Sequence, residues 1–210
     1  CSGCFKTIMQ DYPKVGNLNF EVLHTVEYLT RMLKQGKLHF PHPVNRRVTY
    51  HDPCHLGRAT GGFDAPREIM AAIPGLELVE MPRNREYSRC CGAGGGLKAG
   101  YPDIQNRMAQ RRVQEAEETG AEALVSCCPF CFQGLNVGIS ARQSTLAMKD
   151  MSSLVAESLL GYDVFERAAA EAAEKAERKA REKEQKAAEK AAKKAEKAKA
   201  DEAEAEPAPQ

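Results

Sequence analysis

Short apolar runs and longer amphipathic ones alternate along the first 165 residues. Val48–Tyr50, Leu76–Met81 and Ala123–Ser126 are short, bounded by polar or charged residues, and predict strands. Between residues 19 and 35, apolar side chains fall at Phe20, Leu23, Val26, Leu29, Met32 and Leu33, near the 3.6-residue period. Gly36 follows, so a helix over 19–35 is predicted with its C-terminal stop. Pro102–Thr119 predicts a second helix, with proline in its first turn, Asp103 beside it and Gly120 closing it. Strands interleaved with helices predict an α/β fold with a mainly parallel sheet and flanking helices.

After Phe165, the last aromatic residue, the pattern stops. Residues 166–210 are almost entirely Ala, Glu, Lys and Arg, with 12 basic and 12 acidic side chains. Acid-before-base pairs four residues apart recur: Glu171–Lys175, Glu174–Arg178, Glu177–Arg181, Glu182–Lys186 and Glu189–Lys193. Each supports an exposed helix by about 0.2–0.5 kcal/mol, and alanine is the best helix former. With no larger apolar stripe to bury, this is a charged Ala/Glu/Lys C-terminal helix or disordered tail without chemistry of its own. Its functional alternative is a docking arm whose Lys193–Lys199 end meets an acidic partner.

A length of 210 residues allows one ordinary domain plus this appendage, and 30 Lys+Arg against 29 Asp+Glu give no electrostatic reason for nucleic acid as a partner. No apolar run reaches the roughly 18 residues of a membrane span, and no secretory leader pattern opens the sequence, so a cytoplasmic location is expected.

The candidate chemistry lies in eight cysteines. Val48–Tyr50 leads to His51-Asp52-Pro53-Cys54, and Leu76–Met81 leads through a charged loop to Cys90-Cys91. Ala123–Ser126 runs straight into Cys127-Cys128-Pro129-Phe130-Cys131. Ligands in open α/β sheets bind beyond the carboxyl ends of the strands, so Cys54, Cys90, Cys91, Cys128 and Cys131 are expected to converge. Adjacent residues such as Cys90 and Cys91 address one centre only from irregular backbone, which the following Gly92-Ala93-Gly94-Gly95-Gly96 permits. Gly92, Gly94 and Gly95 are candidates to bring backbone N–H groups close to anionic sulfur. A disulfide framework suits small secreted domains, and a zinc site from Cys1/Cys4 and Cys128/Cys131 leaves other cysteines over. Simple thiol–disulfide redox lacks a thioredoxin-like context. Iron–sulfur ligation by soft thiolates best accounts for the set, which holds one thiolate more than a [4Fe–4S] cube needs.

The segments Tyr50-His51-Asp52-Pro53-Cys54-His55-Leu56-Gly57-Arg58, Cys90-Cys91-Gly92-Ala93-Gly94-Gly95-Gly96 and Cys128-Pro129-Phe130-Cys131 closely resemble the cysteine-rich "CCG" domain. That domain occurs in B- and D-type subunits of heterodisulfide reductase, and the D type is most similar. It also occurs in iron–sulfur subunits of glycolate/lactate oxidase, anaerobic glycerol-3-phosphate dehydrogenase and sulfite-reduction-associated membrane complexes. The resemblance implies a non-cubane [4Fe–4S] cluster held by Cys54, Cys90, Cys91, Cys128 and Cys131. It gives Cys127 no place, and Cys127 is expected to be a buried thiol.

Cys1-Ser2-Gly3-Cys4-Phe5 parallels Cys128-Pro129-Phe130-Cys131-Phe132. Cys1 and Cys4 would then be ligands of a first copy of the motif, completed only by residues upstream. The expected organisation is residues 1–47 as the end of that first copy with a connecting helix, 48–165 as a complete CCG domain, and 166–210 as the tail. The implied activity is two-electron reduction of a small disulfide such as the mixed disulfide of coenzymes M and B, in anaerobic, methanogenic metabolism. The alternative is a non-catalytic electron-transfer subunit. Implied partners are a cytochrome b-type subunit or a flavin or ferredoxin subunit, which would give peripheral attachment to the cytoplasmic face of a membrane. His51, His55 and Arg58 are candidates for proton donation or for pairing with an anionic substrate, with His55 and Arg58 the catalytic candidates; fixing the loop is the competing role. His24, His39 and His42 are expected to be packed or surface residues.

Overall fold

In a computed structural model the backbone is described for residues 1–204 and the side chains for residues 1–186. The chain separates into two compact units, residues 1–164 and the remainder. The first begins with α1 (Ser2–Gln10) and α2 (Thr25–Lys34), followed by β1 (Arg46–Tyr50), α3 (Gly57–Thr60), α4 (Asp64–Ala72) and β2 (Leu76–Leu78). Then come α5 (Leu97–Gly100), α6 (Pro102–Glu117), β3 (Ala123–Ser126), α7 (Pro129–Arg142), β4 (Ala147–Asp150) and α8 (Met151–Leu160). The second unit is the helix α9, which starts at Val164 and runs to Glu204.

The sheet order is β2-β1-β3-β4 and every pairing is parallel, as the alternation of strand and helix predicts. Alternate side chains enter opposite cores. Val48, Tyr50, Ala123 and Val125 pack with Val26 of α2, Ile69 and Met70 of α4 and Leu154 of α8. Leu124 faces the other way, onto Val113 and Ala116 of α6 and Leu135 and Ile139 of α7. The connection from β1 passes over the first face to β2, whereas that from β3 passes over the second face to β4. The chain direction therefore switches between neighbouring β1 and β3, and a crevice opens beyond their carboxyl ends.

The structure moves several predicted boundaries. The helix predicted over 19–35 starts at Thr25, because His24 caps it: His24 Nδ1 accepts from the Val26 N–H, and Glu27 accepts from the His24 N–H at 2.8 Å. Phe20, counted as part of its apolar face, is exposed. β2 has one neighbour, and its ladder ends at Leu78 with a last bond from Val79 N–H to the Val48 carbonyl. Met81 leaves the strand and is buried in the second core. β4 carries no apolar alternation; Lys149 is buried there against Asp163.

In α9 the described ion pairs are Arg167–Glu171, Glu177–Arg181 and Arg178–Glu182, so Arg178 reaches forward rather than back to Glu174. The side chains of Glu189–Lys193 and of the Lys193–Lys199 segment lie outside the described residues.

Candidate metal centre

Three strand ends build the centre. β1 continues past Tyr50 with a bond from the His51 N–H to the Val125 carbonyl at 2.8 Å, which fixes His51 between the two strands. Asp52 then turns inward, where Arg67 holds both its oxygens at 2.8 and 3.0 Å and the Arg85 N–H adds 2.8 Å. Cys54 follows in a turn closed by the Leu56 and Gly57 N–H groups on the Pro53 carbonyl. Arg58, one turn on, does not line the cleft; its guanidinium donates to the carbonyls of Glu86 and Ser88 and ties this turn to the loop before Cys90. His55 is at the cleft mouth, with α1 packed so closely that a Cβ on Gly3 would stand 3.2 Å from its Nδ1.

Cys90 and Cys91 sit in irregular backbone. Gly92 has φ +75°, and its N–H points at the Cys90 sulfur at 3.3 Å. Gly92 itself is buried against Gln105 and Met108 of α6 rather than on the cleft wall, which is formed by Gly94, Gly95 and Gly96. Beyond these three glycines there is open space, so no side chain fills the wall. Cys128 is the N-cap of α7, Pro129 takes the first helical position and Cys131 lies in the first turn. Cys1 and Cys4 stand in the same relation to α1. Both Cys-x-x-Cys pairs therefore place two thiols at a helix N-terminus.

One cleft of about 870 Å³ collects Cys54, Cys90, Cys91, Cys128 and Cys131, and Cys1 and Cys4 also line it. Ile8, Tyr12, Lys98 and Phe130 complete much of its rim; they carry no motif that marks them in the sequence. Cys127 faces away, buried in the first core with its sulfur 3.0 Å from the Tyr50 hydroxyl. His24 is buried as a helix cap, 3.4 Å from the Ser2 hydroxyl.

The thiols perturb one another. Cys91 Sγ lies 3.3 Å from Cys131 Sγ. Hydrogen bonds from Cys54 and Cys91 lower the Cys90 thiol to about 2, while Cys54, bonded to Cys90, is driven up. Cys128 is lowered to about 5 by the Cys131 thiol and by backbone N–H groups of Cys131, Ser2 and Phe130, against the effect of burial. Cys131 is pushed up by Cys128, Cys91 and burial. Crowded sulfurs thus alternate between thiolate and thiol, because adjacent negative charges repel where little water reaches them. A cation with affinity for soft sulfur removes that conflict for all five, so the donor set fits an iron–sulfur group.

Behind the sulfurs is a feature without a sequence signal. Arg112, on a helix whose charges look solvated, is fully buried and donates from Nε to His51 Nδ1 at 3.1 Å. It also donates to the Arg83 carbonyl and to Glu115, both at 2.7 Å. Burial and the Arg112 charge lower His51 to about 3, so the ring is neutral. A ring nitrogen of His51 and the sulfurs of Cys91 and Cys131 lie within 4.8 Å of one another.

Residues 48–136 match the profile of the cysteine-rich domain family designated CCG. The chain is 46% identical over 161 residues to the D-type subunit of dihydromethanophenazine:CoB–CoM heterodisulfide reductase from Methanosarcina barkeri, covering 76% of this chain and 39% of that protein. It is 41% identical over 131 residues to the B-type subunit of the CoM/CoB fumarate reductase of Methanothermobacter marburgensis, covering 62% and 25% of the two chains. It is 40% identical over 162 residues to a probable iron–sulfur-binding oxidoreductase of Bacillus subtilis, covering 76% and 23%. The chain thus spans about two fifths or less of the length of these relatives.

Proposed function

Since residues 48–136 belong to the cysteine-rich CCG domain family, we propose that this chain is part of an iron–sulfur redox subunit in which Cys54, Cys90, Cys91, Cys128 and Cys131 hold one cluster. The observation that carries the reading is the convergence of these five thiols, from three strand ends, on one cleft. Five donors exceed the four of a cube, which supports a non-cubane [4Fe–4S] group. When bound, such a group supplies single electrons and an iron that a substrate sulfur can approach.

The chain's own residues shape the approach. The glycine wall at Gly94–Gly96 leaves room for a small molecule beside the sulfurs. His55 at the mouth offers a proton, and Lys98 on the rim offers a positive charge to an anionic substrate. A small disulfide, of the kind named in the heterodisulfide reductase relatives, fits this arrangement. Cys1 and Cys4, facing the same cleft, form half of a second ligand set that further protein residues would complete. Redox partner subunits follow from relatives named as subunits. No described helix is long and apolar enough to cross a membrane, so attachment to one would come through a partner. A relative named as a probable membrane-anchored ferredoxin favours a second reading, electron transfer without catalysis.

Anaerobic reconstitution with iron and sulfide tests the proposal, followed by EPR of the oxidised protein with and without thiol. About four irons per chain with a thiol-dependent signal supports disulfide chemistry. Four irons with a signal indifferent to thiol supports electron transfer alone. One zinc and no acid-labile sulfide overturns both.

A further inference from the structure

Arg112 bears only N–H donors, so the atom that receives its Nε–H must be a lone pair. His51 Nδ1 is therefore unprotonated and the proton of the neutral ring sits on Nε2. The ring is almost wholly buried, and its one described ring hydrogen bond is that with Arg112. The strand end cannot turn it away, because the His51 N–H is bonded to the Val125 carbonyl and its own carbonyl accepts from Ser126. The sulfurs of Cys91 and Cys131 lie within 4.8 Å of a ring nitrogen.

The surrounding charge is unbalanced in the same sense. Arg112 and Arg89 both pair with Glu115, and Arg112 Nη2 has no partner among the described residues. Two guanidinium charges thus share one carboxylate directly behind the cysteines. Buried charge demands compensation, and anionic sulfur supplies it.

Resting on the iron–sulfur reading above, we propose that Arg112 is a positioning residue that locks His51 as an Nε2–H donor toward the sulfurs of the group held by Cys91 and Cys131. Donation to sulfur and the nearby positive charge both favour the more negative, reduced state, so the pair raises the reduction potential.

The test uses the anaerobically reconstituted full chain and three variants: His51→Phe, His51→Gln and Arg112→Lys. Iron content, EPR-monitored redox titration and ENDOR in H₂O against D₂O are measured for each. His51→Phe is expected to keep its iron, lose an exchangeable-proton coupling and titrate at a lower potential. A tenfold shift toward the oxidised form corresponds to about 59 mV. His51→Gln, which keeps an N–H, restores part of both signals. Arg112→Lys keeps the charge but loses the fork, and weakens the coupling. Should His51→Phe fail to fold, the other two variants carry the comparison.

Wild-type coupling and potential in His51→Phe overturn the donor role. Loss of iron from both His51 variants overturns it too, by making the ring a ligand. A wild-type chain that takes up no iron overturns the iron–sulfur reading itself, before any variant is compared.

Discussion

Replacing Gly138 with alanine separates a local argument from a tertiary one. Gly138 lies in the middle of α7, where alanine is intrinsically better than glycine by about 1 kcal/mol. In this fold the added Cβ would stand 2.8 Å from the Ala109 carbonyl carbon, 2.9 Å from its Cβ and 3.0 Å from its oxygen. None of these atoms is the end of a flexible side chain, so α6 and α7 must separate by roughly half an ångström. A gap of that size already forfeits about a quarter of each dispersion contact across it. Overpacking of a core costs about 1–3 kcal/mol, and rigid neighbours place this case at the upper end. Subtracting the propensity gain leaves about 2 kcal/mol of destabilisation. For a unit of 164 residues that lowers Tm by about 4–8 °C. The assay is thermal unfolding by circular dichroism, with Gly100→Ala as control, since nothing stands within 4 Å of its added Cβ. A Gly138→Ala protein as stable as the parent would refute the close α6–α7 packing. Because α7 carries Cys128 and Cys131 at its start, the variant should also load less iron.

Three other outcomes follow from the same structure. Arg67→Met leaves the nearly buried Asp52 carboxylate without its bidentate partner and should cost about 3–5 kcal/mol in urea unfolding; Asp52→Asn in the same protein should recover part of that. Tyr50→Phe removes the hydroxyl bonded to Cys127 and should cost about 1 kcal/mol, while Cys127→Ser leaves iron content unchanged and Cys91→Ser abolishes it. The Arg142 guanidinium holds Glu117 below the usual carboxylate range. A depressed folded-state value means that the pair stabilises above the unfolded value of about 4.3 and that this is lost as pH falls through the folded one. The difference between the parent and Glu117→Gln, about 0.5 kcal/mol for so exposed a pair, should therefore be flat from pH 5 to 8 and vanish in acid.

Local pattern was enough for the fold class, for β1 and β3, and for the grouping of the cysteines at strand ends. Each of those follows from neighbours in the chain: apolar runs, proline and glycine stops, and cysteine spacing. It misjudged the start of α2, because a histidine cap carries no conventional signature, and it overextended β2, whose last residues leave an edge strand that only one neighbour holds. It missed β4, whose buried Lys149 reads as polar until Asp163 is set against it.

Within the centre, residue types and spacing determined which sulfurs were available, while the folded chain decided what surrounds them. Arg112 looks like any charged position on an amphipathic helix, and only the packing of α6 under the β1–β3 switch drives it against His51. Arg58, next to the first cysteine in the chain, proves instead to brace a loop. Cys127 and Cys128 are adjacent in sequence yet enter opposite sides of the sheet, because β3 ends in a helix cap that rotates one thiol into the cleft and leaves the other beside Tyr50. Covalent neighbours set the inventory of donors; the direction in which each one points is a property of contacts between residues far apart in the chain.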